Sequence, residues 1–373
     1  MKPKVSFVVP CYKLAHLLPE CIHSILAQSF ADFEILIMDD CSPDNTPEVA
    51  ASFKDPRVRH IRHAENLRHL RNYNEGIRMA QGSYVWLISA DDCLRDPRVL
   101  ERYVAAMDAD PRIGYCFCPA FRLEDGEVRE LLDYSVHGPR DAVWDGREFL
   151  CRLIMGNTIV APSAMARKEC YEKVSYFPLN MPWGGDWYLW CAFALHYNVA
   201  YFAEPMVCYR RHALSMTNTL MFGGQIDACS EEDFELPWNI KQQAAALGHH
   251  RVEEACRLAI AKEYARSLAT RRYLQGKPAI TLETVDASLA SHASGAAEQR
   301  WIRARMYATM GTYFYWQKDY AAAHRNYGLA LRENPMAPKV LLQYLLLSTG
   351  GFGRALRDGV GAMRRGLRRR SQP

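Results

Sequence analysis

The stretch Gly82-Ser-Tyr-Val-Trp-Leu-Ile-Ser-Ala-Asp-Asp92 constrains the fold of this chain more than any other. A turn glycine leads into an apolar run of β-preferring residues, Tyr84 to Ile88, and two adjacent carboxylates follow closely where the run stops. Such a run predicts a strand buried in a parallel sheet, and acids at its end then stand at the carboxyl edge, where open α/β folds bind ligands. Two carboxylates there suit a hard divalent cation that bridges the phosphates of a nucleotide. Either aspartate could instead cap the next helix.

The upstream sequence favours the ligand site. Val5-Ser-Phe-Val-Val9 reads as a buried strand opening into a loop at Pro10, and Leu17, Leu18, Cys21, Ile22 and Ile25 follow at helical spacing. Phe33-Glu-Ile-Leu-Ile-Met38 is a second strand, ending in Asp39 and Asp40. Ser42 to Thr46 is turn chemistry before a helix at Pro47–Phe53. Val58–Ile61 predicts a third strand and Asn72–Gln81 a third helix. Strand and helix alternate four times in about 90 residues, which argues for a parallel sheet covered on both faces.

Beyond 93 the pattern loosens. A helix is expected from Asp96, a strand at Ile113–Phe117, a helix at Trp144–Met155 and a short strand at Ser163–Ala166. Strands are also expected at Val199–Phe202 and Val207–His212. Asn180 to Trp190 reads as a glycine-hinged loop running into an aromatic helix, Trp187–His196. After about 228 only helical windows follow, at Phe234–Leu247, Val252–Gln275, Glu298–Gln317, Tyr320–Arg332 and Lys339–Leu347. Gly223-Gly224 and the acidic Glu231-Glu232-Asp233 mark a boundary near 225–232.

Taken in order, several motifs resemble family 2 glycosyltransferases of the GT-A fold. They are Pro10-x-Tyr12, Ser24-Ile-Leu-Ala-Gln-Ser-Phe30, Glu34-Ile-Leu-Ile-Met-Asp-Asp-Cys-Ser42 with Asp44 and Thr46, Asn74-x-Gly76, Ala80-x-Gly82, and Ser89-Ala-Asp-Asp92. The resemblance covers roughly residues 4–215. It implies an α/β fold, a Rossmann-like mixed sheet with helices on both faces, over residues 1–228. An all-α, tetratricopeptide-like domain would occupy 229–353 and a basic tail 354–373. It also implies a nucleoside-diphosphate sugar over the carboxyl edge of the first strands, with Mg2+ or Mn2+ on the diphosphate.

The resemblance places Pro10 and Tyr12 at the base pocket and has Asp40 accept from a uracil or thymine N3–H. Asp39 then positions the loop or ribose. Asp92 would be the principal metal ligand, with Asp91 near the ribose or behind the metal. Two departures from the family pattern stand out, Ser89 where many members carry an acid and Lys13 where Asn is usual. Gly184-Gly-Asp186 resembles the loop that carries the catalytic base. A carboxylate there would take the acceptor hydroxyl's proton as that oxygen displaces the diphosphate, with inversion. Asp186 as a helix cap is compatible with that role. Trp183 beside it is a candidate sugar-stacking ring. Arg210, Arg211 and His212 resemble the segment that reaches the diphosphate or its metal, and Arg71 is a weaker phosphate-facing candidate.

In the helical half, Tyr307, Met310, Gly311, Phe314, Ala323, Tyr327, Ala330 and Pro335 fall at tetratricopeptide spacing, one repeat only. This predicts either a docking or homodimer surface or a cap that stabilises the catalytic domain. The net charge of +4 is concentrated in the tail, where seven arginines face one acid, Asp358. Residues 1–353 are then slightly acidic, so nothing marks a nucleic-acid partner. Leu356, Val360, Met363 and Leu367 step by four, three and four in that tail. The pattern suits a helix on an anionic bilayer, against which four glycines and plain disorder compete. No apolar run is long enough to span a membrane, and the first residues have no signal-peptide layout, which predicts a cytoplasmic protein, peripheral at the inner face of the membrane if the tail binds it. The twelve cysteines lack any CxxC pair, so they are expected reduced and mostly buried.

The leading expectation is an inverting, metal-dependent transferase using a UDP- or dTDP-sugar, rather than a GDP-sugar, on a glycan or polyprenyl-linked acceptor. A peptide Ser or Cys acceptor docked on the helical domain is the alternative enzyme. A non-catalytic nucleotide-sugar or scaffold protein is the alternative of another class.

Overall fold

The computed structural model describes residues 2–213, 215, 226–270, 280–351 and 353, with 226–231 and 233 by backbone alone. The expectations for 354–373, for Gly223-Gly224 and for the end of the Val252–Gln275 window lie outside the described residues. The chain divides into two compact units, residues 1–232 with 242–253, and residues 233–241 with 254 onward.

The first unit begins with β1 (Val5–Cys11), α1 (Leu18–Leu26), β2 (Phe33–Asp39), α2 (Thr46–Ser52), β3 (Val58–Arg62), α3 (His69–Met79) and β4 (Tyr84–Leu87). All seven residues of β1 and of β2 are buried, as their unbroken apolar runs predict. The four strands pair in parallel in the order β3-β2-β1-β4, which brings the ends of three strands, Cys11, Asp39 and Leu87, to one edge. In the core, Phe7 stacks on Trp86 and Trp86 on Tyr103, with ring centroids 5.4 and 5.0 Å apart.

The rest of this unit comprises β5 (Cys93–Leu94), α4 (Val99–Ala109), β6 (Ile113–Phe117), β7 (Ala120–Glu124), β8 (Glu127–Leu131), β9 (Ala142–Trp144), α5 (Gly146–Leu153), β10 (Met165–Arg167), α6 (Lys168–Lys173), α7 (Gly185–Ala194), β11 (Asn198–Tyr201) and β12 (Val207–Arg210). Strands β10, β6, β11 and β9 extend the first four into an eight-stranded mixed sheet, in which β10 runs antiparallel to both β4 and β6. A second sheet, β5-β12-β7-β8, sets β12 antiparallel to β5 and parallel to β7.

Several boundaries differ from the sequence expectation, two of them for a clear local reason. Trp144 ends β9 instead of opening a helix, because the Asp145 side chain accepts from Arg147 N and Glu148 N and starts α5 at Gly146. A single 3₁₀ turn fills Ala161–Ser163, where Pro162 leaves no donor for a strand, and pairing begins only at Met165.

The second unit is helical. Helix α8 (Ile226–Ala246) straddles the division, and α9 (His250–Thr270), α10 (Leu282–His292), α11 (Ala296–Trp316), α12 (Tyr320–Glu333) and α13 (Pro338–Ser348) follow. Its core collects Trp238, Tyr264, Ile302, Phe314 and Tyr327, and Trp238 Nε1 donates to Tyr264 Oη at 3.1 Å. No helix is long and apolar enough among the described residues to cross a membrane. Of the eleven cysteines described with side chains, none forms a disulfide and nine are buried.

Candidate active site

The ends of β1, β2 and β4 are tied together by backbone hydrogen bonds, Asp40 N to Cys11 O at 3.0 Å and Ala90 N to Pro10 O at 3.1 Å. The four acids of the two sequence motifs therefore share one edge. They do not share one environment.

Asp39 is completely buried. Its Oδ1 accepts from Ser42 N at 2.8 Å, and its Oδ2 faces Arg62 at 2.8 Å and His60 at 3.1 Å. With both oxygens committed, Asp39 braces the loop after β2. Asp40 accepts from Leu67 N at 2.7 Å, and burial pushes its carboxyl above the ordinary range. Pro10 is buried and Tyr12 is 42% exposed, with the Lys13 ammonium 5.2 Å from its ring. Lys13 itself takes a positive φ and donates its N–H to Ser42 Oγ at 2.6 Å, which locks the first loop to the second.

The pair after β4 divides its work as well. Asp92 is buried, and its Oδ1 accepts from Arg210 N at 2.8 Å. Burial first, and the Asp91 charge second, push its carboxyl well above the usual range. Asp91 sends Oδ2 to His212 Nε2 at 2.9 Å, while its Oδ1 is buried with no hydrogen-bond partner. A buried carboxylate oxygen left bare costs free energy unless something else satisfies it. Arg210 turns inward, donating Nε to Asp91 O at 2.7 Å and pairing with Glu20. Arg211 and His212 border a shallow cavity with Glu124, Asp125 and Ala213. Arg71 is exposed on α3.

Asp186 lies in the first turn of α7. Its Oδ1 accepts from Trp187 N at 2.6 Å, and Asn157 Nδ2 approaches its Oδ2 at 3.3 Å. Burial raises its carboxyl to about 6 against these hydrogen bonds. The helix is docked by Trp187 Nε1, which donates to Leu153 O at 2.8 Å. Just before it, Trp183 N and Gly184 N both donate to Glu232, which is 6% exposed. Helix α3 is joined to the same region by Asn74, whose side chain exchanges two 2.9 Å hydrogen bonds with the Phe177 backbone, and by His69, 3.0 Å from Pro182 O.

Between these clusters sits Tyr73, a residue the sequence did not single out. Burial raises its hydroxyl pKa, and the charges of Asp91, Asp186 and Asp92 add to the rise. One side chain thus lies within electrostatic reach of both acid centres. No sequence signal marks Tyr73, which occupies an ordinary helical position, and Glu232 is hidden in an acidic run that reads as a boundary.

Residues 6–174 match the family model "Glycosyl transferase family 2". This stretch is a family 2 glycosyltransferase domain. The chain is 36% identical over 119 residues to glycosyltransferase GlyG of Streptococcus pneumoniae, covering 31% of this chain and 39% of GlyG. It is 38% identical over 107 residues to the succinoglycan biosynthesis protein ExoO of Rhizobium meliloti, covering 29% and 30%. The match thus spans well under half the length of these relatives. An uncharacterized glycosyltransferase of Rickettsia typhi is 27% identical over 64% of this chain and 71% of its own. The fold is that of the S. aureus TarS fragment 1–349 crystallised with UDP-GlcNAc, with a TM-score of 0.57 at 16% identity, over 96% of this chain and 92% of that one.

Proposed function

We propose that the chain is an inverting, metal-assisted glycosyltransferase that moves a sugar from a UDP- or dTDP-sugar to a hydroxyl of a glycan or lipid-linked acceptor. The observation that carries this reading is the nearness of two acid centres. Asp186, poised near pH 6, and Asp91, with a bare oxygen beside His212, both act on Tyr73. The similar TarS fragment was crystallised with UDP-GlcNAc, which puts a uridine nucleotide first. ExoO, a succinoglycan biosynthesis protein by name, favours a glycan acceptor.

The residues divide into three tasks. Tyr12 and Asp40, at the ends of β1 and β2, receive the base, while Asp39 holds their loop. Asp91 and His212 would hold Mg2+ or Mn2+. No group of three ligating side chains is assembled among the described residues, and an ion bound by few protein groups plus phosphate and water needs none. Such an ion supplies neutralisation of the charge that builds on the departing diphosphate. Asp92 works from behind, fixing the backbone of Arg210 and so the approach of Arg211 and His212. Asp186 takes the proton of the acceptor hydroxyl, whose oxygen forms the new bond to the anomeric carbon as the bond to the diphosphate breaks on the opposite face. One displacement inverts that carbon.

Calorimetric titration of UDP, dTDP and GDP, with and without Mn2+, tests the donor site. The expected result is Mn2+-dependent binding of UDP or dTDP, abolished in Asp91→Asn. Folded wild-type protein that binds none of the three would overturn the reading.

A further inference from the structure

Glu232 is a buried acid close to Asp186 in the fold that these tasks leave unused. It lies on α8, 46 positions beyond Asp186 in sequence and within the first unit. Its Oε2 accepts two consecutive backbone hydrogen bonds, from Trp183 N at 2.8 Å and Gly184 N at 2.7 Å. These are the two residues that precede α7, whose first residue is Gly185 and whose entry has no side-chain cap. A helix start leaves orphan N–H groups and a partial positive charge, and a carboxylate satisfies both at once with charge-assisted bonds. Burial strengthens those bonds by excluding water.

We infer that Glu232 is a positioning residue for Asp186, clamping the Trp183-Gly184 turn so that the first turn of α7 delivers the Asp186 carboxylate into the cleft. The inference rests on the reading of Asp186 as the base. Only Gly185 separates the clamped turn from Asp186, so a shift of the turn is passed on through backbone alone. His69, 3.0 Å from Pro182 O, holds the turn one residue earlier, and Asn157 and Trp187 N hold the carboxylate itself. Without Glu232 two amides lose their acceptor, the turn re-forms toward water, and Asp186 leaves the enclosed place that makes it a strong base.

The test is a thermal-unfolding cycle that needs no substrate. Asp186→Asn is compared with wild type between pH 4.5 and 8, and the same pair is compared in a Glu232→Ala background. In wild type the difference in Tm should grow from pH about 4 and level off near 6. Tyr73 and Tyr134, the other titratable groups that feel Asp186, are both raised above the ordinary tyrosine value and stay neutral throughout. In the Glu232→Ala background the pH at which the difference levels off should fall by about one unit or more, and Glu232→Gln, which keeps an acceptor oxygen, should restore it. Glu232→Asp, whose carboxylate falls short of the turn, serves the same purpose if the alanine variant does not fold. A difference that still levels off near 6 in folded Glu232→Ala or Glu232→Asp overturns the inference. A hydroxyl-transferring Asp186→Asn at wild-type rate would overturn the base reading instead, and leaves this cycle unaffected.

Discussion

Asp186 concentrates the consequences that belong to single residues. Folding raises its carboxyl from 3.8 to about 6 through burial, so the folded state holds the proton more tightly than the unfolded chain does. The resulting cost to stability is absent below pH about 4, grows between 4 and 6, and is fully present above 6, at no more than about 3 kcal/mol. Asp186→Asn should therefore raise stability at pH 7.5 by about 1–3 kcal/mol and leave it nearly unchanged at pH 4.5. The same substitution should lower transfer turnover by about 10²–10⁴-fold, since it removes a general base. In wild type, kcat should fall tenfold per pH unit below about 6, which a pH–rate profile would check; a flat profile from 5 to 8 would sink the assignment. The acids of the cleft were visible in the sequence because each follows an apolar run or opens a helix after glycines. Tyr73 and Glu232 were not, because what matters about them is which distant groups they stand near: Tyr73 lies within electrostatic reach of the acids that follow β4 and of Asp186 on α7, and Glu232 meets a turn 48 residues earlier.

Among the elements, legibility followed length and local periodicity. Strands β1 and β2, seven buried residues each, and the long helices α11 and α12 could be read to within a residue or two. Strands β5, β7 and β8, of two to five residues, were not read at all, since such runs are too short for a period and depend on their partners. One signal was present and unused. Asp125-Gly126 between two short runs is a two-residue hairpin turn, and both residues do take positive φ, 51° and 77°. The helical hairpin carries a sharper test. A Cβ on Gly311 of α11 would stand 2.7 Å from two ring carbons of Tyr327, a buried ring on α12 that cannot move aside cheaply. Gly311→Val should destabilise the protein by about 2–4 kcal/mol, the strain of overpacking outweighing about 0.5 kcal/mol of gained helix propensity. Chemical denaturation would show it, and a variant as stable as wild type would mean that the two helices are not held at this separation.

At the scale of the whole molecule, the helical unit is discontinuous: residues 233–241 belong to it and 242–253 do not. Helical periodicity continues through that junction, so nothing in the local sequence could announce the division, which rests on a contact made far along the chain. Lys241, the last residue of the short piece, pairs with Glu298 of α11 at 2.9 Å, and both side chains are under 10% exposed. Ser294 N and Oγ donate to the same carboxylate at 2.6 and 2.8 Å. Burial alone would raise the Glu298 carboxyl, and the hydrogen bonds from Ser294 and Lys241 outweigh it, so the group sits below its usual 4.5. A depressed carboxyl contributes stability above the unfolded value, and that contribution is lost as pH falls through the folded one. Removing one partner leaves a buried charge uncompensated, so Lys241→Met and Glu298→Met should each cost about 3–5 kcal/mol at pH 7. With both changed, the buried pair is gone, and the loss should shrink to about 1–2 kcal/mol, the part due to Ser294 and to Arg257, whose Nη1 lies 3.8 Å from Glu298. Urea denaturation of the four proteins gives the coupling directly. Additive losses in the double variant would mean that the two charges are solvated in practice, and the short piece would then be held by Trp238 and its apolar neighbours alone.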